Sequence, residues 1–114
     1  MIHKMNLDFE PFKLIKDGTK TIELRLNDEK RQLINVGDLI EFTNRDTLEK
    51  MRLDVVELYK YPNFEELYKH FNKIEMGYKE DEVASFLDME QYYSQGDQEK
   101  YGVLGIRLEK YHGD

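Results

Sequence analysis

Three strand patterns follow one another closely between residues 20 and 60, and they constrain the fold more than any other feature. Apolar and polar side chains alternate over residues 20–26, and residues 38–43 and 49–60 form two further strand patterns. A parallel sheet would need a helix after nearly every strand, and the short connections here leave no room for one. The sequence therefore predicts an α+β domain built on a small, mainly antiparallel barrel, with helices over its mouth or flank.

Further elements are predicted on both sides of these strands. A short strand runs from His3 to Leu7, and a closing strand runs from residue 101 to 108. A first helix begins after Asp8, a good N-cap, and ends before Gly18, where a left-handed residue is favoured. These elements raise the predicted number of strands to five or six.

Two more helical patterns follow the third strand. Asn63 can cap a helix whose apolar residues Phe64, Leu67, Tyr68 and Phe71 recur at helical spacing. The stretch from Glu80 to Met89 repeats that pattern through its apolar residues Val83, Phe86 and Leu87. We therefore expect two or three helices beside the barrel.

Several classes of protein are excluded or disfavoured by what the 114 residues contain. There is no Cys, which excludes a disulfide framework, a thiolate zinc site and a Cys nucleophile. His3, His70 and His112 lie far apart without metal-ligand spacing, so we expect no metal and no cofactor. No apolar run is long enough for a membrane helix, and the first residues lack a secretion signal. A cytoplasmic protein of one domain, with no membrane partner, is the simplest expectation.

The charge is distributed unevenly along the chain. Residues 1–52 carry ten basic and ten acidic side chains, whereas residues 53–114 carry seven basic and fourteen acidic ones, so the net charge of −7 lies entirely in the second half. A protein that grips duplex DNA through its phosphates usually shows a basic footprint. We therefore expect no duplex DNA partner, and any contact with nucleic acid should be local and come from the first half. The acidic half either keeps the domain soluble or forms a docking face for another protein.

One polar cluster lies at the start of the first of the three strands. Glu23 and Arg25 share a face by the two-residue period of a strand, and Lys20 follows the turn at Gly18. These charges can form a structural ion pair and nothing more. They can also bind a ligand, with Lys20 as donor, Glu23 as acceptor and Arg25 as a fork for a phosphate or a base edge.

The cluster resembles the hallmark Gly-x-Lys-x-x-Glu-x-Arg of the ASCH domain family. Residues 11–16 look like the helix before that motif, residues 36–42 resemble the family's second signature, and residues 101–106 resemble its closing strand. The resemblance spans about residues 5–108 of a single domain, 1–114. The motif positions are matched by Gly18, Lys20, Glu23 and Arg25.

The resemblance implies a PUA-like β-barrel with helices over one opening and a cleft lined by the motif. It also implies a partner, RNA or a small nucleotide-derived ligand, because the family is suspected to bind RNA. Tyr92, Tyr93 and Tyr101 could supply a stacking surface. The expected binding residues are Gly18, Lys20, Thr21, Glu23, Arg25, Glu75 and Tyr101.

An enzymatic alternative follows from the same resemblance. Some bacterial relatives are amidohydrolases that remove the acetyl group of N4-acetylcytidine, and ribonuclease activity has been proposed for others. The amidohydrolase branch uses a Lys, a nucleophilic Thr and a Glu. Lys20 matches the Lys, Glu23 stands where the Thr would be, and Glu75 is the nearest match to the Glu. If the chain is an enzyme, Lys20 and Glu23 are the expected catalytic residues, with Thr21 or a water activated by Glu23 as nucleophile.

Overall fold

One five-stranded mixed sheet forms the framework of the protein. The computed structural model describes residues 1–111 and Gly113, so the prediction made for His112 falls outside the described residues. The strands are β1 (Ile2–Leu7), β2 (Ile22–Leu26), β3 (Leu39–Asn44), β4 (Lys50–Tyr61) and β5 (Val103–Lys110). They lie in the order β1–β3–β4–β5–β2, which leaves β1 and β2 as the two edges.

Three of the four strand pairs are antiparallel, which confirms the predicted α+β class with a mainly antiparallel sheet. The β1–β3 pair is parallel, from Ile2 opposite Leu39 onward. Of the three strands predicted in succession, only β3 and β4 form a hairpin; β2 pairs instead with β5. The alternation in β4 fails at Val56 because a bulge between Val55 and Glu57 shifts the register against β5 there.

Four α-helices and two short 3₁₀ helices connect the strands of the described part of the chain. The α-helices are α1 (Phe9–Lys16), α2 (Phe64–Tyr68), α3 (Lys73–Met76) and α4 (Gln95–Tyr101); the 3₁₀ helices are Arg31–Leu33 and Phe86–Gln91. The Asn63 carboxamide accepts from the Glu66 N–H and caps α2 as predicted. None of these helices is long and apolar enough to span a membrane.

The helix predicted from Glu80 to Met89 is wrong over its first half. Gly77 ends α3 in the left-handed conformation, and the following residues form turns until the 3₁₀ helix starts at Phe86. The Lys73 ammonium binds the main-chain oxygens of Glu80 and Glu82 at 2.7 and 2.6 Å, so these carbonyls are bound by a side chain instead of a helix. Val83, part of the apolar pattern that predicted this helix, is 87% exposed.

The sheet has an apolar layer on each face. One layer contains Phe12 and Ile15 of α1, and the other contains Phe64 and Leu67 of α2. β5 contributes to both, because alternate residues point to opposite sides of a strand. Its Leu104, Ile106 and Leu108 belong to the α1 layer, and its Val103 belongs to the α2 layer.

The sheet curves into a half-barrel whose edge strands approach each other without pairing. The described residues of β1 and β2 share no ladder, but a side chain links them: Arg25 Nη2 donates to the Asn6 carbonyl oxygen at 3.0 Å. This linked opening between β1 and β2 is here called the seam. It positions the candidate site.

The start of the parallel β1–β3 pair is held by the Asp38 carboxylate. It lies 2.8 Å from His3 Nε2 and accepts from the Asn35 N–H at 3.0 Å. These two hydrogen bonds, the one from His3 first, lower the pKa of Asp38 to about 2. Asp38→Asn should lower the free energy of unfolding near neutral pH by about 1–2 kcal/mol, because the charge that these donors bind is lost.

The pH dependence of this loss has a definite sign. Because the pKa of Asp38 is lower in the folded protein than its ordinary value of 3.8, the ionised carboxylate stabilises the fold above about pH 3.8. This stabilisation disappears as the pH falls through about 2. Urea unfolding should therefore show a difference from wild type at about pH 5 that closes between pH 4 and 2. Asp46→Asn, in the exposed β3–β4 turn, is the control; a difference that persists unchanged at pH 2 would contradict the assignment.

Candidate functional site

A cavity of about 380 Å³ opens at the seam. Its volume lies within the roughly 300–1,000 Å³ typical of small-molecule sites. One wall comes from β1, the start of α1 and the beginning of β2. The other comes from Tyr68 of α2, from Met76 and from several residues between 77 and 93. The segment 77–94, between α3 and α4, is here called the strap.

Three charged side chains form an ion-pair triad in the first wall. The Glu23 carboxylate lies between two cations, with Oε1 at 3.3 Å from Lys20 Nζ and Oε2 at 2.7 Å from Arg25 Nε. Glu23 is only 4% exposed and Lys20 8%. Such a burial of charge is tolerated only because each group has a partner of opposite sign.

The register of β2 explains why two of these side chains share the inner face. Glu23 lies opposite Ile106 and Arg25 opposite Leu104. Directly opposed residues of an antiparallel pair point to the same side, so both charged groups project on the side of the α1 layer. Arg25 is then close enough to the seam to reach β1.

Lys20 enters from a different direction, since it precedes the strand. Gly18, with φ of +85°, turns the chain after α1, and the Lys20 N–H donates to the Leu14 carbonyl oxygen. The ammonium of Lys20 donates to the Met76 carbonyl oxygen at 3.0 Å. A Cβ on Gly77 would lie 3.0 Å from Lys20 Cδ, so the end of α3 fits closely against the Lys20 side chain.

The triad fixes the charge state of its members. Burial alone would raise the pKa of Glu23, but the charges of Lys20 and Arg25 and their hydrogen bonds hold it below the ordinary value. Burial would likewise lower the pKa of Arg25, and the Glu23 carboxylate raises it. The Glu23 carboxylate is therefore ionised at neutral pH, and both of its oxygens are engaged by cations.

The second wall is aromatic and hydroxyl-bearing. The hydroxyls of Tyr68 and Tyr78 lie 2.9 Å apart, and Tyr78 Oη lies 2.7 Å from Asp88 Oδ2. Burial, followed by the contact with Tyr78, raises the pKa of Tyr68, so this phenol stays protonated. Tyr93 stacks on Phe64, and neighbouring Tyr92 is 64% exposed at the cavity mouth.

Comparison with known proteins identifies the family. The family model described as ASCH domain matches residues 5–112. The chain belongs to the ASCH domain family. Its fold is the α+β, PUA-like fold that the resemblance implied.

Solved structures agree with this membership. Hypothetical protein PH0355 has 31% identity and a TM-score of 0.82, over 97% of this chain and all of that one. Protein PF0455 from Pyrococcus furiosus has 30% identity and a TM-score of 0.70, over 99% of this chain and all of that one. The S128A mutant of ZmASCH from Zymomonas mobilis, at 15% identity, shares the fold with a TM-score of 0.71, over 96% of this chain and 68% of that one. No curated protein matches the chain.

The structure brings three of the expected binding residues of the ASCH domain together at the cavity, namely Lys20, Glu23 and Arg25. Tyr92 and Tyr93 also line it, whereas Tyr101 does not. Tyr101 ends α4, where the Lys100 ammonium lies 5.0 Å from its ring centroid.

The other three expected residues lie elsewhere. Gly18 and Thr21 line a second cavity, of about 470 Å³, on the far side of Lys20. Glu75 takes part through its main chain, whose oxygen accepts from the Thr21 N–H, while its carboxylate pairs with Arg107 at 3.4 Å. The α3 turn therefore attaches to β2 through its backbone and directs the Glu75 side chain away from the cavity.

Sequence reasoning missed most of the second wall. The sequence places Tyr68 only on an apolar helix face, and Gly77 belongs to no motif there. Neither Tyr78 nor Asp88 stood out. All four lie more than 40 residues from the motif, and no local pattern connects them with it. The one available signal was a glycine in a left-handed turn after a short helix, and this signal is too common to indicate a site.

The fit of Gly77 against Lys20 can be tested with a matched pair of variants. Gly77 has φ of +108° and Gly37 has φ of +95°, but a Cβ on Gly37 would meet nothing within 4 Å. Gly37→Ala should lose about 1–2 kcal/mol of unfolding free energy from backbone strain alone. Gly77→Ala should lose at least about 1 kcal/mol more because its methyl group crowds Lys20. Equal losses in urea unfolding would contradict the close fit.

Proposed function

We propose that this ASCH domain binds a single nucleobase-bearing unit at the seam, either one unstacked base of an RNA strand or a small nucleotide-derived ligand. The observation that carries the proposal is the buried Lys20–Glu23–Arg25 triad, set in a cavity whose other wall is aromatic. Polar groups that converge in a largely preformed pocket are typical of ligand sites. Family membership supports the choice of ligand class, since the resemblance associates ASCH domains with RNA.

The hydrogen-bonding groups of the triad suit an acceptor edge on the ligand. Lys20 Nζ uses donors toward Met76 and Glu23, and a third remains. Arg25 uses Nε toward Glu23 and Nη2 toward Asn6, and the Tyr93 hydroxyl also neighbours its guanidinium, which leaves only part of its donors for a ligand. A carbonyl oxygen or ring nitrogen of a base can accept from both groups.

Tyr92 is well placed to contribute by stacking. Tyr93 already packs against Phe64, but Tyr92 is largely exposed at the cavity mouth, with its ring centroid 6.4 Å from that of Tyr93. A base can stack on an exposed tyrosine ring whatever its sequence. The cavity would thus hold one base between the ring and the triad.

The charge of the cavity lining predicts weak attraction for a long RNA. Its cations are balanced by acids on the same walls: Lys20 and Arg25 share Glu23, and Arg45 pairs with Asp8 at 2.9 Å. The chain as a whole carries a net charge of −7. Affinity for an extended strand should therefore be modest and decline with salt, because few phosphates are neutralised.

Tyr92→Ala tests the proposal with little risk to folding, because the side chain is mostly exposed. The variant should weaken binding of a fluorescein-labelled single-stranded RNA hexamer by about 1–3 kcal/mol, the contribution of one base–aromatic stack. Fluorescence anisotropy at 50 and 200 mM salt measures both the loss and the salt slope.

Tyr111→Ala, at an exposed tyrosine outside the cavity, is the matched control. It should bind the hexamer like wild type. Identical affinities for Tyr92→Ala and wild type would remove the stacking role. A wild-type protein that binds neither the hexamer nor free nucleosides would overturn the proposed function.

Hydrolysis of a modified nucleoside is the second candidate, and the buried Lys20 at the cavity favours it. Two expected partners do not support it, since Thr21 lines the second cavity and the Glu75 carboxylate pairs with Arg107. The remaining route is a water activated by Glu23, whose oxygens both face cations. Release of cytidine from N4-acetylcytidine at about 1 per second or faster, abolished by Glu23→Gln, would favour the enzyme over the binding protein.

A further inference from the structure

One part of the second wall offers acceptors, because the hydroxyl protons of Tyr68 and Tyr78 are already used. Tyr78 Oη has one proton and three oxygen neighbours: Tyr68 Oη at 2.9 Å, Asp88 Oδ2 at 2.7 Å and the Ser85 carbonyl at 3.1 Å. The carboxylate and the carbonyl can only accept. The Tyr78 proton therefore points toward them, with the shortest contact to Asp88, and Tyr68 donates its own proton to Tyr78.

The three side chains therefore form a chain of hydrogen bonds in which Tyr68 donates to Tyr78 and Tyr78 donates to Asp88. A ligand that reaches this wall finds the lone pairs of Tyr68 Oη and the Oδ1 of Asp88, and both are acceptors. Tyr68 and Tyr78 are half-buried, so their arrangement is held by the surrounding structure, whereas Asp88 lies exposed at the mouth. We name these three residues the acceptor wall.

The opposite wall has the reverse polarity. Each Glu23 oxygen already faces a cation, and the triad also presents the remaining donors of Lys20 and Arg25 to a ligand. A base that turns an acceptor toward the cations and an exocyclic amino group toward the acceptor wall matches both walls. A keto oxygen in place of the amino group would point its lone pairs at those of Tyr68 and Asp88, and no hydrogen bond could form there.

We propose that the acceptor wall makes the cavity selective for bases with an exocyclic amino group over their keto counterparts. This inference rests on the proposed function, since it concerns the ligand of the same cavity. It assigns to Asp88 and Tyr68 a specificity role, contact with the amino group of the base, while Lys20 and Arg25 contact the acceptor edge.

Matched nucleoside pairs test this selectivity. Adenosine and inosine differ by amino against keto at C6, and cytidine and uridine differ in the same way at C4. In each keto partner the neighbouring ring nitrogen also changes from an acceptor to an N–H donor, so an Asp88 variant is needed to isolate the contact with the amino group. Isothermal titration of the wild-type protein should show each amino nucleoside binding about tenfold more tightly than its keto partner, as expected for one well-placed hydrogen-bonded base contact.

Asp88→Asn provides the decisive variant, because it keeps the shape of the side chain and adds a donor. It should lower the amino-to-keto affinity ratio to about threefold or less, through weaker binding of the amino nucleosides and stronger binding of the keto ones. Asp81→Asn is the control, since Asp81 is an exposed residue of the same strap that does not line the cavity. It should keep the wild-type ratio.

The outcomes separate this inference from the function on which it rests. Equal wild-type affinities within each pair, or an unchanged ratio in Asp88→Asn, would overturn the acceptor wall and leave the binding function standing. A uniform loss of affinity in Asp88→Asn with an unchanged ratio would assign Asp88 a structural role only. Wild-type protein that binds none of the four nucleosides and no RNA would overturn both proposals.

Discussion

The Glu23 carboxylate is the point at which three separate parts of the chain meet. It holds Lys20, which hydrogen-bonds to the end of α3 at the Met76 carbonyl, and it holds Arg25, which reaches across the seam to the Asn6 carbonyl in β1. An unpaired charge in this position would be costly, and removing one partner of a buried ion pair typically destabilises by about 3–5 kcal/mol. The triad therefore sets the width of the seam and the position of the strap together.

A buried ion triad is not the most stabilising choice for such a position. Apolar side chains of similar volume often serve stability as well or better, because they avoid the desolvation of charge. The triad lies where the sheet fails to close, and this opening provides the cavity. The buried charges cost some stability, and they place hydrogen-bond donors at fixed positions in the cleft.

The local parts of the fold and of the site could be predicted from the sequence. Alternation identifies the strands, Asn63 the cap of α2 and Gly18 the left-handed turn, because each of these features is decided by neighbours within a few residues. Lys20, Glu23 and Arg25 could be placed together for the same reason, since strand periodicity and one turn determine their directions.

What could not be predicted depends on partners distant in sequence. Nothing in β2 reveals that it pairs with β5, about 80 residues later, instead of with β3. The apolar spacing of Val83 and Phe86 fits a helix, but Lys73 binds the carbonyls that this helix would need. The Tyr78–Asp88 contact likewise follows from the turns of the strap.

The central claim is that one base occupies the cavity between the triad and Tyr92. A crystal structure of the protein soaked with a single-stranded RNA trinucleotide, in a lattice that leaves the seam open to solvent, tests this claim most directly. The account predicts density for one base stacked on Tyr92, with its acceptor edge within hydrogen-bonding distance of Lys20 or Arg25. An RNA bound elsewhere on the surface while the cavity stays empty would contradict it.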